Sequence, residues 1–211
     1  IFTIWMTAFI CLKKQKVDIE LDEIHQNLEN RIQERTQSLN ETANDLEKKN
    51  GYLELHKDIA KKTNENTNIE EIFQFCLKQI CHLSNAQLGH IYLAENRYSN
   101  RLLPEKIWHI ESEVNFENFK ELTEHHIFES GIGLPGRTHK IRKPVWIDNI
   151  SEDSNFPRLK NKKNSLVKSC FAFPIFIGDE ISGVMEFFFD SLKNSDDELL
   201  EVMEQIGIQI G

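Results

Sequence analysis

Gly131-Ile132-Gly133-Leu134-Pro135-Gly136-Arg137 carries the G-x-G-x-x-G spacing of a dinucleotide-binding turn. That chemistry needs a strand directly before the glycines and an acidic residue about 20 positions later, ending a second strand. Here a helical pattern and Glu129-Ser130 precede the run, so the glycines read as an irregular turn, with Leu134-Pro135 opening a short helix. The four cysteines, Cys11, Cys76, Cys81 and Cys170, form no C-x-x-C. Thiol chemistry requires an exposed, low-pKa cysteine near a second one, whereas Cys76 falls on an apolar helical face and Cys170 starts an apolar strand. Buried, unreactive thiols in a reducing compartment are the expectation. Cys76 and Cys81 stand roughly 140° apart around a helix, so with His82 they share no ligand face and no metal site is expected. His125-His126 lies late in an amphipathic pattern beside Glu121 and Glu124, without the run that follows a phosphoacceptor histidine. No ATP-binding glycine boxes, cyclase Gly-Gly-Asp-Glu-Phe run or Ser-His-Asp constellation is present, so no catalytic residues are assigned. Glu186 is the one acid inside the apolar run Val184 to Phe188; it must find a ligand, a core donor or water.

The elements that position these residues fall into three segments. Residues 1–12 are almost wholly apolar and precede Lys13, Lys14 and Lys16, the order expected at the cytoplasmic end of a transmembrane helix. Twelve residues are short of the roughly 20 that cross a bilayer, and with Ile1 in place of a Met the run reads as the truncated end of a span; the last element of an upstream soluble domain is the other reading. Residues 13–66 hold one glycine and no proline. Apolar or small residues recur at Val17, Leu21, Ile24, Leu28, Ile32, Thr36, Leu39, Ala43, Leu46, Asn50 and Leu53 in steps of three and four, the seam of a dimeric coiled coil. Three successive four-residue steps from Ile24 to Thr36 slip the heptad phase, and Thr36 and Asn50 weaken the seam while favouring one register. A single solvated helix acting as a spacer is the alternative. The sum of 25 basic and 34 acidic residues gives a net charge of −9, which excludes nucleic acid as the main partner.

Residues 67–211 alternate in period. Thr67 or Asn68 can cap a helix with Ile72, Phe75, Cys76, Ile80 and Leu83 on its apolar face. Strands follow at His90 to Leu93 and Lys106 to Ile110, a helix over Phe116 to Phe128, strands at Pro144 to Ile147, Cys170 to Ile177 and Ile181 to Asp190, and a helix from about Ser195 to the end. The class is α+β.

From Gly131 onward the chain reads GIGLPGRTHKIRKPVWIDNISEDSNFPR and then SCFAFPIFIGDEISGVMEFFFD, which resembles the GAF domain family, particularly members in bacterial sensor histidine kinases. The likeness covers roughly Asn68 to Gly211, and Leu28 to Thr36 resembles the signalling-helix linkers that precede such domains. The resemblance implies an antiparallel sheet of about six strands with helices on both sides, preceded by a long coiled-coil helix and used for small-molecule sensing and dimerisation. Family ligands include cyclic nucleotides, tetrapyrroles, haem and metabolites, so it leaves the cofactor unknown. The phosphodiesterase cyclic-nucleotide signature is incomplete: Asn161-Lys162 is present, but Phe176 and Asp179-Glu180 are wrongly spaced. Cys81-His82 lies on the first helix, ahead of the strands that would form a bilin pocket. Trp108, Trp146, Phe156, Phe171, Phe173 and Glu186 are the candidate ligand-binding residues, a filled core being the alternative; the dimer seam is Leu21, Ile24, Leu28, Ile32, Leu39, Leu46 and Leu53. The expected protein is a homodimeric sensory module, the cytoplasmic part of an inner-membrane sensor histidine kinase with its phosphorelay output beyond this chain. Input to a cyclase, phosphodiesterase or transcription regulator, and a GAF-type free methionine sulfoxide reductase, are the alternatives.

Overall fold

The computed structural model describes residues 2–65, 68–111, 116–159 and 166–211. Thr67 and Asn161-Lys162 lie outside the described residues, as do the side chains of Cys11, Val17 and Ile24. The chain divides into two compact units, Ile1–Asn50 and Gly51–Gly211.

Helix α1 (Phe2–Asn64) supplies every described residue of the first unit. It is a continuous helix because no proline and no glycine before Gly51 interrupts it. Polar side chains close on the helix itself: Thr36 Oγ1 donates to the Ile32 carbonyl at 2.8 Å, and Lys49 pairs with Asp45 at 2.8 Å, one turn apart. Leu21, Leu28, Ile32, Leu39 and Leu46 are all exposed, Leu39 at 70%. Among the described residues no helix is long and apolar enough to cross a membrane.

The second unit takes in the last turns of α1. Tyr52, Leu55 and Ile59 are buried, whereas Leu53, one of the expected seam residues, points outward. Helix α2 (Ile69–Ser84) follows, its N-terminus capped by Asn68 Oδ1, which accepts from the Glu70 amide, and its end closed by Asn85 in the left-handed region. The sheet comprises β1 (Leu88–Ala94), β2 (Arg101–Ile110), β3 (Phe128–Glu129), β4 (Val145–Ile147), β5 (Ser169–Ile177) and β6 (Glu180–Phe189). Its order is β3-β2-β1-β6-β5-β4 with every pairing antiparallel. Helices α3 (Glu117–Glu124) and α4 (Gly133–Ile141) join β2 to β4, and α5 (Asp197–Ile210) ends the chain, capped by Asp196.

Two expected boundaries differ. The helix expected over Phe116 to Phe128 stops at Glu124, and Phe128-Glu129 instead pairs with Leu102 and Arg101. A two-residue edge strand is too short to leave a period in the sequence. Strand β2 begins at Arg101 rather than Lys106 and takes in Pro104 opposite Tyr92, beside the irregularity in its pairing with β1, where a proline is tolerated.

Side chains alternate between the two sheet faces. On one face Ile91, Phe171, Phe173, Ile175, Met185, Phe187 and Phe189 form a core with α2, α5 and the end of α1. On the other, Leu88, Tyr92, Trp108, Cys170, Ala172, Val184 and Phe188 pack with Phe116, Phe119, Phe128, Leu134 and Phe156. Helix α5 lies so close to β5 that a Cβ on Gly207 would run into the Pro174 carbonyl oxygen. Replacing an interior helical glycine by alanine ordinarily stabilises a helix by about 1 kcal/mol. Here the sign reverses: Gly207→Ala should lower the unfolding free energy by about 1–3 kcal/mol, read as an earlier urea midpoint with an unchanged slope.

Candidate functional site

The face of the sheet away from α2 and α5 holds a charged pair inside an apolar shell. Glu186 sits mid-β6 and is fully buried. Arg158 arrives from the turn-rich loop after β4 and is 3% exposed. Its Nη1 and Nη2 donate to Glu186 Oε1 and Oε2 at 2.6 and 2.7 Å, a bidentate fork. His90 on β1, the cross-strand partner of Glu186, brings Nδ1 to 3.1 Å from Oε1. Its Nε2 lies 2.8 Å from the Glu105 carbonyl oxygen, where β2 carries an irregularity in its pairing with β1 between His90 and Tyr92. The His90 ring stacks on Trp108 with centroids 4.0 Å apart.

Five aromatic rings surround the guanidinium. The Arg158 Cζ lies 5.0 Å from the Phe128 centroid, 5.3 Å from those of Phe119, Phe156 and Phe188, and 5.9 Å from that of Tyr92. The distances are those of cation–π contacts. The end of α3 closes the group: Thr123 Oγ1 accepts from Arg158 Nη1 at 3.3 Å, the Thr123 carbonyl from the Tyr92 hydroxyl at 3.1 Å, and Glu124 from Trp108 Nε1 at 3.0 Å.

The loop carrying Arg158 is held by the glycine turn. Asn155 Oδ1 accepts from the Gly133 amide at 2.9 Å, and its Nδ2 donates to the Gly131 carbonyl at 3.0 Å. Arg137 on α4 pairs with Asp153 at 2.6 Å. Gly131 and Gly133 have φ of 92° and 65°, so the run forms the irregular turn expected of it, and α4 opens one residue before Leu134.

Burial pushes the Glu186 carboxyl up, but the Arg158 charge and the hydrogen bonds from His90 and Arg158 outweigh it and hold the group below its ordinary 4.5. For Arg158 burial works against the charge, and Glu186 more than compensates, raising its pKa. Burial also drives the Tyr92 hydroxyl up. Cys76, Cys81 and Cys170 are all buried. Burial pushes the Cys76 thiol up to about 12 and raises those of Cys81 and Cys170 as well, leaving them little thiolate at neutral pH. Among the described residues no group of three or more His, Cys, Asp or Glu side chains could hold a metal ion.

The six candidate residues divide between the faces. Trp108, Phe156 and Glu186 lie on the charged face; Phe171 and Phe173 belong to the core under α2 and α5, where Trp146 stacks on Phe171 at 5.3 Å. Period two in β5 makes the separation unavoidable, since Phe171 and Phe173 alternate with Cys170 and Ala172. His90 and Arg158 were not among the candidates. The signal for a partner was Glu186 itself, a buried acid that demands a donor, but nothing local indicates that the donor lies 28 residues upstream.

The GAF domain family model matches residues 66–211, and the chain belongs to this family. Solved structures of the same fold include free methionine-R-sulfoxide reductase from Neisseria meningitidis in complex with its substrate, at 13% identity and TM-score 0.59, covering 75% of this chain and 85% of that one. The A. aeolicus nlh2 GAF domain in an inactive state matches at 23% identity and TM-score 0.59, over 78% and 95% of the two chains. The GAF domain of an Acinetobacter phosphoenolpyruvate-protein phosphotransferase matches at 15% identity and TM-score 0.58, over 75% and 89%. No curated protein matches the sequence.

Glu186→Gln should cost about 3–5 kcal/mol at neutral pH, because it leaves the Arg158 charge buried without its counter-ion. A carboxyl whose folded pKa is depressed contributes stability that is fully present above its unfolded value and lost as pH falls through the folded one. The penalty should therefore shrink when urea midpoints are compared below pH 4, against the ordinary value of 4.5.

Proposed function

We propose that this chain is the sensory and dimerisation module of a membrane-tethered signal-transduction protein, a two-component sensor histidine kinase, which relays small-molecule binding or helix movement to an output domain. The observation that carries the reading is the shared seat of the entering and leaving helices. Tyr52, Leu55 and Ile59 of α1 lie in one core with Leu199, Met203, Ile206 and Ile210 of α5. His56 and Gln209 join the two helices directly, Nδ1 to Oε1 at 3.2 Å and Gln209 Nε2 donating to the His56 carbonyl at 3.2 Å. A rotation or shift of α1 would have to be accommodated by α5.

In this reading the exposed row Leu21, Leu28, Ile32, Leu39 and Leu46 meets its counterpart on a second copy, with Thr36 and Asn50 keeping that seam weak enough to change register. The apolar run 1–12 and the lysines after it anchor the module on the cytoplasmic side of the inner membrane. The module acts by binding and transmission; the buried thiols argue against sulfoxide reduction by Cys76, Cys81 or Cys170. Input to a cyclase, phosphodiesterase or transcription regulator would use the same relay, and the coding sequence beyond Gly211 distinguishes these outputs.

Sedimentation tests the relay. The chain should behave as a dimer at tens of micromolar, and Leu28→Glu with Leu39→Glu should make it monomeric while leaving the urea unfolding of the globular unit unchanged. A monomeric wild-type chain would remove the helix pair and the relay with it. Native mass spectrometry of the wild-type chain should find a small molecule retained by the globular unit.

A further inference from the structure

We propose that the charged face of the sheet is a receptor for organic cations, that Arg158 is its built-in occupant, and that the small molecule sensed by this domain carries a guanidinium or alkylammonium head that competes with Arg158 for Glu186. The inference rests on the sensory reading above and adds the chemical class of the ligand.

Its basis is the composition of the shell. One carboxylate lies at the base, fixed by His90 from the neighbouring strand, and the rings of Tyr92, Phe119, Phe128, Phe156 and Phe188 surround the charge within 6 Å. A carboxylate backed by several aromatic faces selects a weakly hydrated, delocalised or alkylated cation over a small hydrated one.

The partners also differ in how they are held. Glu186 and His90 belong to adjacent central strands, paired through the whole of β1 and β6. Arg158 comes from the loop between β4 and β5, outside any strand or helix; that loop is held by Asn155 on the glycine turn, by Asp153 on Arg137, by the buried side chains of Ile150, Phe156 and Val167, and by the Lys168 amide on the Phe189 carbonyl. Glu186, His90, Tyr92, Phe128 and Phe188 stand on strands and Phe119 on α3, while Phe156 shares the loop of Arg158; the Arg158 side chain can therefore leave the shell without breaking a strand ladder. Thr123 at the end of α3 touches the same guanidinium, so exchange of the occupant also removes one of the contacts that hold α3 down.

The test is occupancy by methylguanidinium. Arg158→Gly in the full chain empties the shell, and thermal unfolding is followed with 0–20 mM methylguanidinium chloride against equal sodium chloride. The expected result is a saturable rise in Tm of about 3 °C or more in Arg158→Gly, and no rise in Arg158→Gly/Glu186→Gln. Should Arg158→Gly purify unfolded, its refolding from urea is measured instead; recovery of the native near-ultraviolet signal only with methylguanidinium supports the proposal, and no recovery overturns it. For the wild-type chain, the same titration should give a saturable change in the fluorescence of Trp108, which stacks on His90, lost in Trp108→Phe. No rescue of a folded Arg158→Gly, or rescue that survives Glu186→Gln, overturns the proposal. A retained neutral or anionic molecule found without rescue would overturn the cation class and leave the sensory reading standing. Rescue in a chain that sediments as a monomer would keep the cation site and remove the relay.

Discussion

The Arg158–Glu186 pair is the constraint around which the second unit is arranged. Removing two charges from water is costly unless geometry and additional hydrogen bonds compensate. The fold supplies both: a bidentate fork, a second bond to the carboxylate from His90, and Thr123 on the guanidinium. Those partners come from β1, β6, α3 and the β4–β5 loop, four segments that the pair ties to one point. The glycine turn takes its meaning from the same point. Its Gly131 carbonyl and Gly133 amide grip Asn155, three residues before Arg158, and a side chain at Gly133 would strike Phe128, one of the surrounding rings. A run with the spacing of a phosphate-binding turn thus serves to deliver an arginine into the interior.

The sheet architecture was largely legible because its strands are long and their alternation strong. The periodicity gives β5 and β6 to within a residue or two and the order of elements gives the α+β class, while the six antiparallel strands follow from the resemblance of the Gly-Leu-Pro-Gly-Arg and Ala-Phe-Pro runs to the GAF family. What escaped was tertiary. β3 is two residues long, and β2 contains Pro104. The aromatic candidates were grouped by neighbourhood in sequence, but a strand sends neighbouring side chains to opposite faces, so Phe171 and Phe173 parted from Glu186 and Trp108. Arg158 stood in the quoted Asn-Phe-Pro-Arg segment, yet a charged residue in a polar loop reads as solvent-exposed until its partner is known. The turns of α1 after Gly51 carry a second pattern, Tyr52, Leu55 and Ile59, out of phase with the seam through Leu46 and Leu53; only the presence of a core to receive it gives it significance.

The two faces are chemically unlike but mechanically joined. β6 sends Glu186 to the charged face and Met185 and Phe187 to the core under α2 and α5. Phe187 lies in a row of near-parallel rings, 4.9 Å from Phe171 and 6.0 Å from Phe173. Phe173 lies in turn beside Gly207 of α5, where the helix approaches β5 too closely to admit a Cβ. Close-packed interiors transmit strain in place of absorbing it, so a displacement of β6 has no soft layer in which to disappear before α5.

Direction follows from stiffness. The central strands β1 and β6 are paired on both sides, whereas α3 and the β4–β5 loop lie outside the sheet and are held to it by buried side chains, Phe119 of α3 and Ile150, Phe156 and Val167 of the loop, together with the polar contacts of Arg158, Thr123 and Tyr92. An event at the charged face would first release those outer segments, and the sheet would move less than they do. On the opposite face α2, α5 and the end of α1 bury apolar side chains continuously against the strands. A domain built this way would take up a change in the buried ion pair at the outer segments first and pass it on through the sheet. Helices entering and leaving on the face of α2 and α5 would carry such a displacement out of the sheet.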